Sequence, residues 1–343
     1  MRRSEERNSR TGLKIVLSII AIIILGLGAY GFKKYQNLKN AVNNSYTSAG
    51  IAKQRDTKAQ INQKKPISIL LMGTDTGALG RDYKGRTDSI MVLTVNPQTK
   101  KTTITSVPRD TAVTIPGFEK EAPSKINAAY AFGKAGTTIR TVESVFNVPI
   151  DFYALINMGG MQKVIDEIGG VDITPTLSFN YEGYSYVKGQ KTHMDGKKAL
   201  EYSRMRYDDP QNDYGRQTRQ RQVLMAIISK SSSVSQLLNK KFLDSISNQT
   251  QTDLTFDDMV ALATNYRSST KNVSETHAQG SGQMVNGQSM ELLSKPELQR
   301  VTDFIRDGLG LSHKDTGNAA LSANDVSGIS NSNVESANIN AGN

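Results

Sequence analysis

Two aspartates and two arginines stand next to the ends of three consecutive apolar segments. The segments are rich in β-branched residues and cover 67–72, 89–95 and 102–107, and the charged residues beside them are Asp75, Arg86, Asp88 and Arg109. Magnesium prefers oxygen ligands such as carboxylates, and guanidinium groups match the geometry of phosphate oxygens. These residue types together indicate a site for a magnesium ion and a phosphorylated substrate.

The apolar segments predict three strands that bring these charges together. The short connection at residues 96–99 predicts an antiparallel hairpin between the second and third strands. Asp88 stands just before the second strand and Arg109 just after the third, so both are expected at one sheet edge. If the first strand also pairs antiparallel to the second, its carboxyl end carries Asp75 to that edge. The plainer alternative is a loop-capping Asp75 and an Asp88 that is ion-paired with Arg86.

A second group of arginines lies between residues 204 and 221. Arg204 and Arg206 are two apart, so they point the same way in an extended segment. A helix predicted from Arg216 places Gln220 on the same face, while an apolar stripe buries the opposite face. Asp213 either orients one of the arginines or caps this helix. Each arginine alone is typical of a solvated surface, but their bunching at element ends favours a phosphate clamp.

The net charge is concentrated at the N-terminus. The chain of 343 residues has a formal charge of +10, yet residues 1–60 contain eleven basic and three acidic residues, against 31 and 29 in the remainder. The basic excess flanks residues 15–32, which are uncharged. Contact with anionic lipid headgroups therefore explains the charge better than nucleic acid does.

Residues 15–32 predict a transmembrane helix. Eighteen uncharged, mostly apolar residues are long enough to cross a bilayer. A cleaved signal peptide is the alternative, but its apolar region is usually shorter and is followed by a small-residue cleavage site. The absence of cysteine fits an oxidising exterior and removes thiol chemistry and disulfides.

Strand and helix patterns alternate after residue 66, which predicts an α/β fold. The apolar faces at 128–132 and 139–146 are expected in the core, with a lipid pocket as the alternative. Walker, dinucleotide-binding and serine-nucleophile motifs are absent, and the three histidines have no ligand spacing. Further elements are predicted at 152–156 (strand) and at 158–168, 195–203, 233–247, 255–266 and 295–307 (helices).

Six short motifs together resemble the LytR–CpsA–Psr family of bacterial cell-envelope enzymes. They occur in order between about residues 66 and 230. The motifs are GTD at 73–75, GRTDS at 85–89, SVPRD at 106–110, KINAAY at 125–130, GGVD at 169–172, and RxR followed by DxGRxxRQ across 204–220.

The resemblance implies a Mg2+-dependent, membrane-anchored phosphotransferase. Such enzymes move a glycopolymer from an undecaprenyl-pyrophosphate carrier to peptidoglycan through a phosphodiester. The implied fold is an α/β/α sandwich with a central mixed sheet flanked by helices, preceded by one transmembrane helix and holding an apolar cavity for the prenyl chain. The implied partners are the polyprenyl-pyrophosphate-linked glycopolymer, peptidoglycan and membrane lipid, without nucleic acid.

The same resemblance assigns roles to the charged residues. Asp75 and Asp88 would hold the magnesium ion, and Asp213 would support the anion-binding residues. One departure is Arg221, where many members have glutamine. The implied pyrophosphate ligands are Arg86, Arg109, Arg204, Arg206, Arg216 and Gln220, and the implied catalytic group is Asp75, Asp88, Arg109 and Arg206.

The domain plan that follows has five parts. Residues 1–14 are predicted as a cytoplasmic stub, 15–32 as the membrane anchor, 33–65 as a juxtamembrane spacer, 66–312 as the extracytoplasmic catalytic domain and 313–343 as a disordered tail. A lipid-pyrophosphate phosphatase, a membrane-bound transcriptional regulator and a catalytically silent wall-binding scaffold are the competing functions. The sequence leaves open the glycopolymer, the general base, the oligomeric state and the role of 233–343.

Overall fold

The computed structural model describes residues 35–36, 39–40, 45–74, 85–230, 249–322 and 325–326. The predicted anchor at 15–32, Asp75 and the predicted helix at 233–247 lie outside these residues. In the described part of the chain, no helix has both the length and the apolar character needed to cross a bilayer.

A six-stranded mixed sheet forms the centre of the fold, with strand order β11-β6-β1-β2-β3-β12. Strands β1, β2 and β3 are antiparallel neighbours, whereas β6 and β12 run parallel to β1 and β3. The predicted hairpin is confirmed, and Ile90 of β2 lies opposite Val107 of β3. The strands are β1 (Ile67–Thr74), β2 (Ser89–Asn96), β3 (Lys101–Val107), β6 (Phe152–Asn157), β11 (Thr250–Thr252) and β12 (Val273–His277).

Both faces of this sheet are covered, because its strands bury alternate side chains on opposite sides. Leu70 and Val92 pack with α2 (Ala128–Phe146) and α7 (Lys295–Gly308). Ile69 and Leu93 belong to the opposite core. The helices on that side are α1 (Thr57–Asn62), α5 (Asn212–Lys230) and α6 (Phe256–Asn265).

The prediction of a mixed sheet flanked by helices is thus confirmed. The apolar faces predicted at 128–132 and 139–146 belong to one element, α2, whose helical backbone is interrupted at Gly133 and Lys134. Tyr130, Ile139 and Val142 are in the main core, as expected for these faces.

A smaller core lies beside the sheet and positions the second arginine group. Phe179, Tyr186 and Tyr202 pack together there, with ring centroids 4.6–5.8 Å apart. Residues 179–186 form a hairpin of two short strands. The elements are α3 (Met158–Glu167), β7 (Val171–Ile173), β8 (Phe179–Tyr181), β9 (Tyr184–Tyr186), β10 (Thr192–Met194) and α4 (Gly196–Arg204).

Short strand pairs complete the fold near the sheet edge. Strand β4 (Ala112–Val113) pairs with β5 (Ser124–Lys125), and β13 (Ser281–Val285) pairs with β14 (Gln288–Leu292). The inner face of the β13–β14 hairpin packs on Ala112 through Val285, Met290 and Leu292.

Residues 45–65, which the sequence predicts as part of a spacer, pack on the domain. Thr47 N donates to Thr252 O (2.8 Å), and Lys53 forms an ion pair with Asp253. Ile61 of α1 is buried in the core. A polar composition indicated a spacer, but this segment is held by main-chain hydrogen bonds and ion pairs, which hydropathy does not detect.

The first part of the predicted tail also packs on the domain. Gly317 N donates to Val145 O (3.1 Å) and Leu321 N donates to Ala112 O (3.0 Å). Ala319 is buried in the main core. Small residues dock here through the backbone, so the scarcity of large apolar side chains was misleading. Residues 327–343 lie outside the described part of the chain.

Candidate active site

The β2–β3 hairpin places Asp88 and Arg109 side by side, as predicted. Asp88 immediately precedes β2 and Arg109 follows β3 by two residues. Arg109 Nη1 donates to Asp88 Oδ1, and the two side chains are 20% and 23% exposed. A ligand can therefore reach this ion pair from solvent.

The first turn of α5 completes a charge cluster with these two residues. Asp213 accepts hydrogen bonds from Arg216 Nη2 (2.6 Å) and from Gln217 Nε2 (3.0 Å). Arg216 Nη1 also donates to the carbonyl of Asp88 (3.2 Å), and Arg109 Nε lies 3.9 Å from Asp213 Oδ1. Asp213 therefore orients arginines, which was one of its two predicted roles. We call Asp88, Arg109, Asp213 and Arg216 the open cluster.

The charges of the open cluster support one another. Burial by itself raises the pKa of Asp213, but Arg216, Gln217 and Arg109 outweigh it and lower that pKa. Burial opposes the charge of Arg109 as well, while Asp213 and Asp88 raise its pKa above the ordinary value. Burial lowers the pKa of Arg216. An arginine keeps its charge under such shifts, so the cluster presents fixed guanidinium groups.

An apolar cavity of about 290 Å3 opens beside the open cluster. Asp88 and Gln220 line it together with apolar side chains from both sheet and helices. The apolar lining includes Leu71, Met91, Met161, Val164, Leu200 and Val223. Gln220 Oε1 is buried and has no hydrogen-bond partner within the described residues. Arg216 and Gln220 lie on one helix, as predicted, and α5 thus connects the open cluster to the cavity.

The structure does not bring Arg86, Arg204 and Arg206 into the open cluster. Arg86 is exposed two residues before Asp88. Arg204 is not in an extended segment but ends α4, where it pairs with Glu201 at 3.3 Å. Arg206 lies 5.9 Å from the Tyr207 ring. Because helix α4 extends to residue 204, the predicted alternation of the two arginines is wrong.

Two other buried arginines of α5, Arg219 and Arg221, form ion pairs that do not line the cavity. We call these the closed pairs. Arg219 is 2% exposed, pairs with Asp209 and donates to Met205 O, so it holds the loop before α5. Gly215 permits this approach, because a Cβ there would lie 1.8 Å from Asp209 Oδ2. Arg221, the departure noted in the sequence, donates to Glu275 (3.1 Å) and to Ser106 (3.0 Å). It ties α5 to the sheet and is not a cavity residue.

Sequence reasoning missed several residues that support the cluster. Gln217 holds Asp213, and Lys125 pairs with Asp110 (2.8 Å) next to Arg109. Tyr214 donates to Glu291. The helical spacing of Asp213 and Gln217, four apart, is a signal that could have identified Gln217. Nothing local in the sequence links residue 214 to residue 291.

The carboxylates near the cavity decide whether the site suits magnesium. The described residues contain no group of three or more His, Cys, Asp or Glu side chains that could hold a metal ion. Asp88 supplies a half-buried carboxylate at the cavity, and Asp75 lies outside the described residues. One or two carboxylates, completed by water and substrate oxygens, suit Mg2+. The Asp88 carboxylate is compatible with such a site.

Fold and site together define an α/β protein with a cluster of arginines and aspartates beside an apolar cavity. The LytR_cpsA_psr family model matches residues 32–306, and the chain belongs to this family. The resemblance inferred from the motifs is therefore confirmed.

Relatives and solved structures agree with this assignment. The polyisoprenyl-teichoic acid–peptidoglycan teichoic acid transferase TagU of Enterococcus faecalis is 40% identical over 296 residues, covering 86% of this chain and 96% of the relative. TagU of Bacillus subtilis is 37% identical over 313 residues, covering 90% and 99%. The crystal structure of gbs0355 from Streptococcus agalactiae superposes with a TM-score of 0.70 at 31% identity, covering 81% of this chain and 98% of that one.

Proposed function

We propose that this protein transfers a glycopolymer of the teichoic acid class from a polyprenyl-pyrophosphate carrier to peptidoglycan. The observation that carries the proposal is the contact between the open cluster and the apolar cavity, which share the Asp88 position. A prenyl chain suits the cavity and a pyrophosphate suits the guanidinium groups at its mouth. Two relatives that match this chain over nearly their whole length are named as teichoic acid transferases.

Arg109 and Arg216 are the principal pyrophosphate ligands in this proposal. Arg109 Nε is buried and lacks a hydrogen-bond partner within the described residues. A buried donor without a partner carries a free-energy cost, which a phosphate oxygen would remove. Gln220 contributes where the pyrophosphate meets the lipid. Arg86, Arg204 and Arg206 are proposed as rim contacts to the same donor.

The reaction breaks one phosphorus–oxygen bond and forms another. The oxygen of a peptidoglycan hydroxyl attacks the phosphorus that carries the glycopolymer. The bond from that phosphorus to the bridging oxygen breaks, the prenyl phosphate leaves with the electron pair, and the hydroxyl proton passes to solvent. Fixed guanidinium groups stabilise the charge on the transferring group without reorganisation during the reaction.

Magnesium is part of the proposal. Asp88 and Asp75 would hold the ion, which supplies charge neutralisation to the phosphate oxygens when bound. Removal of divalent cations with EDTA is expected to abolish transfer, and added Mg2+ to restore it. Calorimetric titration of Mg2+ in the presence of the lipid-linked donor gives a second readout, and Asp88→Asn is expected to weaken that binding. Unchanged binding by this variant would exclude Asp88 as a ligand.

The proposed location follows from the N-terminal segment and the substrate. Residues 15–32 anchor the chain in the cell membrane, and the catalytic domain faces the wall. Digestion of intact cells with an added protease is expected to remove the domain beyond residue 66. Complete protection would place the domain inside the cell and exclude the proposed acceptor.

Reconstitution tests the function itself. The full-length protein in detergent is incubated with lipid-linked teichoic acid precursor and with peptidoglycan stripped of its wall polymers. We expect a covalent glycopolymer–peptidoglycan product that requires both substrates. Release of the glycopolymer phosphate into water without this product would instead identify a lipid-pyrophosphate phosphatase.

A further inference from the structure

The β13–β14 hairpin stands at the open cluster and presents an exposed face. Gly280 N donates to Tyr214 Oη (2.9 Å), and Tyr214 Oη donates to Glu291. Glu291 N donates to Asp110 O (2.9 Å). The hairpin is thus attached on one side to the residue after Arg109 and on the other to the residue after Asp213.

The two faces of this hairpin differ in their contacts. Val285, Met290 and Leu292 lie on the inner face and pack on the domain. The cross-strand pairs Gly282–Glu291 and Met284–Ser289 lie on the other face, which we call the outer face. Met284 is 67% exposed, and Gly282 and Ser289 are exposed as well.

The chemistry of the outer face suits a neutral sugar. The Met284–Ser289 pair lies about 7 Å along the hairpin from the Glu291 pair, since strands rise about 3.4 Å per residue. Glu291 is the one charged side chain of these two strand pairs and accepts a hydrogen bond from Tyr214, so the Met284–Ser289 end of the outer face is uncharged. A thioether can pack on the apolar face of a sugar ring, and a serine hydroxyl can bond a sugar hydroxyl.

The positions of the hairpin and the cavity along α5 indicate that the sugar bound at the hairpin is the acceptor. Tyr214, which contacts the hairpin, lies between the open-cluster residues Asp213 and Arg216, whereas Val223, which lines the cavity, lies farther along the helix. Tyr214 and Val223 are separated by about 13 Å along the helix axis. In phosphoryl transfer, the attacking and leaving oxygens lie roughly in line on opposite sides of phosphorus. The leaving prenyl phosphate occupies the cavity side, so the attacking hydroxyl arrives from the hairpin side.

We infer that the outer face of the β13–β14 hairpin binds the glycan strand of the acceptor peptidoglycan and presents its hydroxyl to the open cluster. This inference rests on the proposed function, because it assigns the acceptor of that reaction. It makes the outer-face residues Met284 and Ser289 determinants of acceptor affinity rather than of donor affinity.

Charge placed on the outer face tests the inference. Met284→Glu and Ser289→Glu are expected to raise the apparent KM for stripped peptidoglycan about tenfold, with the KM for the lipid-linked donor unchanged. Gln283→Glu is the matched control, because Gln283 is exposed on the same hairpin and its side chain belongs to the other face. Thermal unfolding followed by circular dichroism verifies that all three variants are folded.

Each outcome decides the matter. An unchanged acceptor KM in Met284→Glu, an equal effect of Gln283→Glu, or a rise confined to the donor KM would overturn the inference.

Co-sedimentation of the full-length protein with stripped peptidoglycan gives a test that does not need turnover. Weaker co-sedimentation of Met284→Glu supports the surface, and equal co-sedimentation overturns it. If the wild type only releases glycopolymer phosphate to water, the proposed function fails, and co-sedimentation still decides on the surface.

Discussion

Arg109 and Arg219 each form an ion pair with an aspartate, but the two pairs differ in how far a ligand can reach them. The Arg109 and Asp88 side chains are 20% and 23% exposed, and Asp88 lines the cavity. The Arg219 and Asp209 side chains are 2% and 6% exposed and hold a loop against α5. The exposure of the whole ion pair therefore distinguishes the Arg109–Asp88 pair beside the cavity from the Arg219–Asp209 pair that holds the fold, although the sequence motifs contain both.

The largest expected effect is on the closed pair. Arg219→Ala leaves Asp209 as a buried charge without its partner, and breaking such a pair costs about 3–5 kcal/mol. Urea denaturation should show this loss in the free energy of unfolding. Arg300→Ala is the control, because its pair with Glu297 is on the surface and is worth about 1 kcal/mol or less. Equal stability of Arg219→Ala and the wild type would refute the distinction between closed and open pairs.

Filling the cavity should affect donor binding without affecting the closed pairs. Leu200 is half-buried on the cavity wall, and Leu200→Trp occupies space assigned to the prenyl chain. We expect the KM for the lipid-linked donor to rise about tenfold, while the KM for peptidoglycan stays the same. Lys163→Trp places the same bulk on an exposed helical position and should leave both values unchanged. An unaffected donor KM in Leu200→Trp would show that the chain binds elsewhere.

The smallest expected effect is at the rim. Arg204 is 45% exposed and pairs with Glu201 on its own helix. Its contact with the donor is then worth about 1 kcal/mol or less, so Arg204→Ala should change kcat/KM about fivefold at most. Steady-state kinetics with varied donor measures this. A loss as large as that expected at the open cluster would mean that Arg204 joins the cluster when the donor binds.

The same distinction explains what the sequence could predict. The β2–β3 hairpin and the meeting of Asp88 with Arg109 follow from strand pattern and a short turn, which are local signals. Asp213 and Arg216 were likewise within one helical turn. The closed pairs of Arg219 and Arg221, and the link from Tyr214 to Glu291, depend on contacts between distant segments, so spacing could not separate them from binding residues. The docking of residues 45–65 and 314–322 relies on backbone hydrogen bonds, which composition does not reveal.

The most direct measurement is the transfer rate of Arg109→Ala together with its free energy of unfolding in urea. Removing one preorganised donor to a transition-state charge costs about 10²–10³ in rate. Because the Arg109–Asp88 pair is partly exposed, its loss should change stability by about 1 kcal/mol or less. We predict a rate loss of at least about a hundredfold at near-wild-type stability. A rate close to the wild-type value, or a loss of stability as large as that of Arg219→Ala, would contradict it.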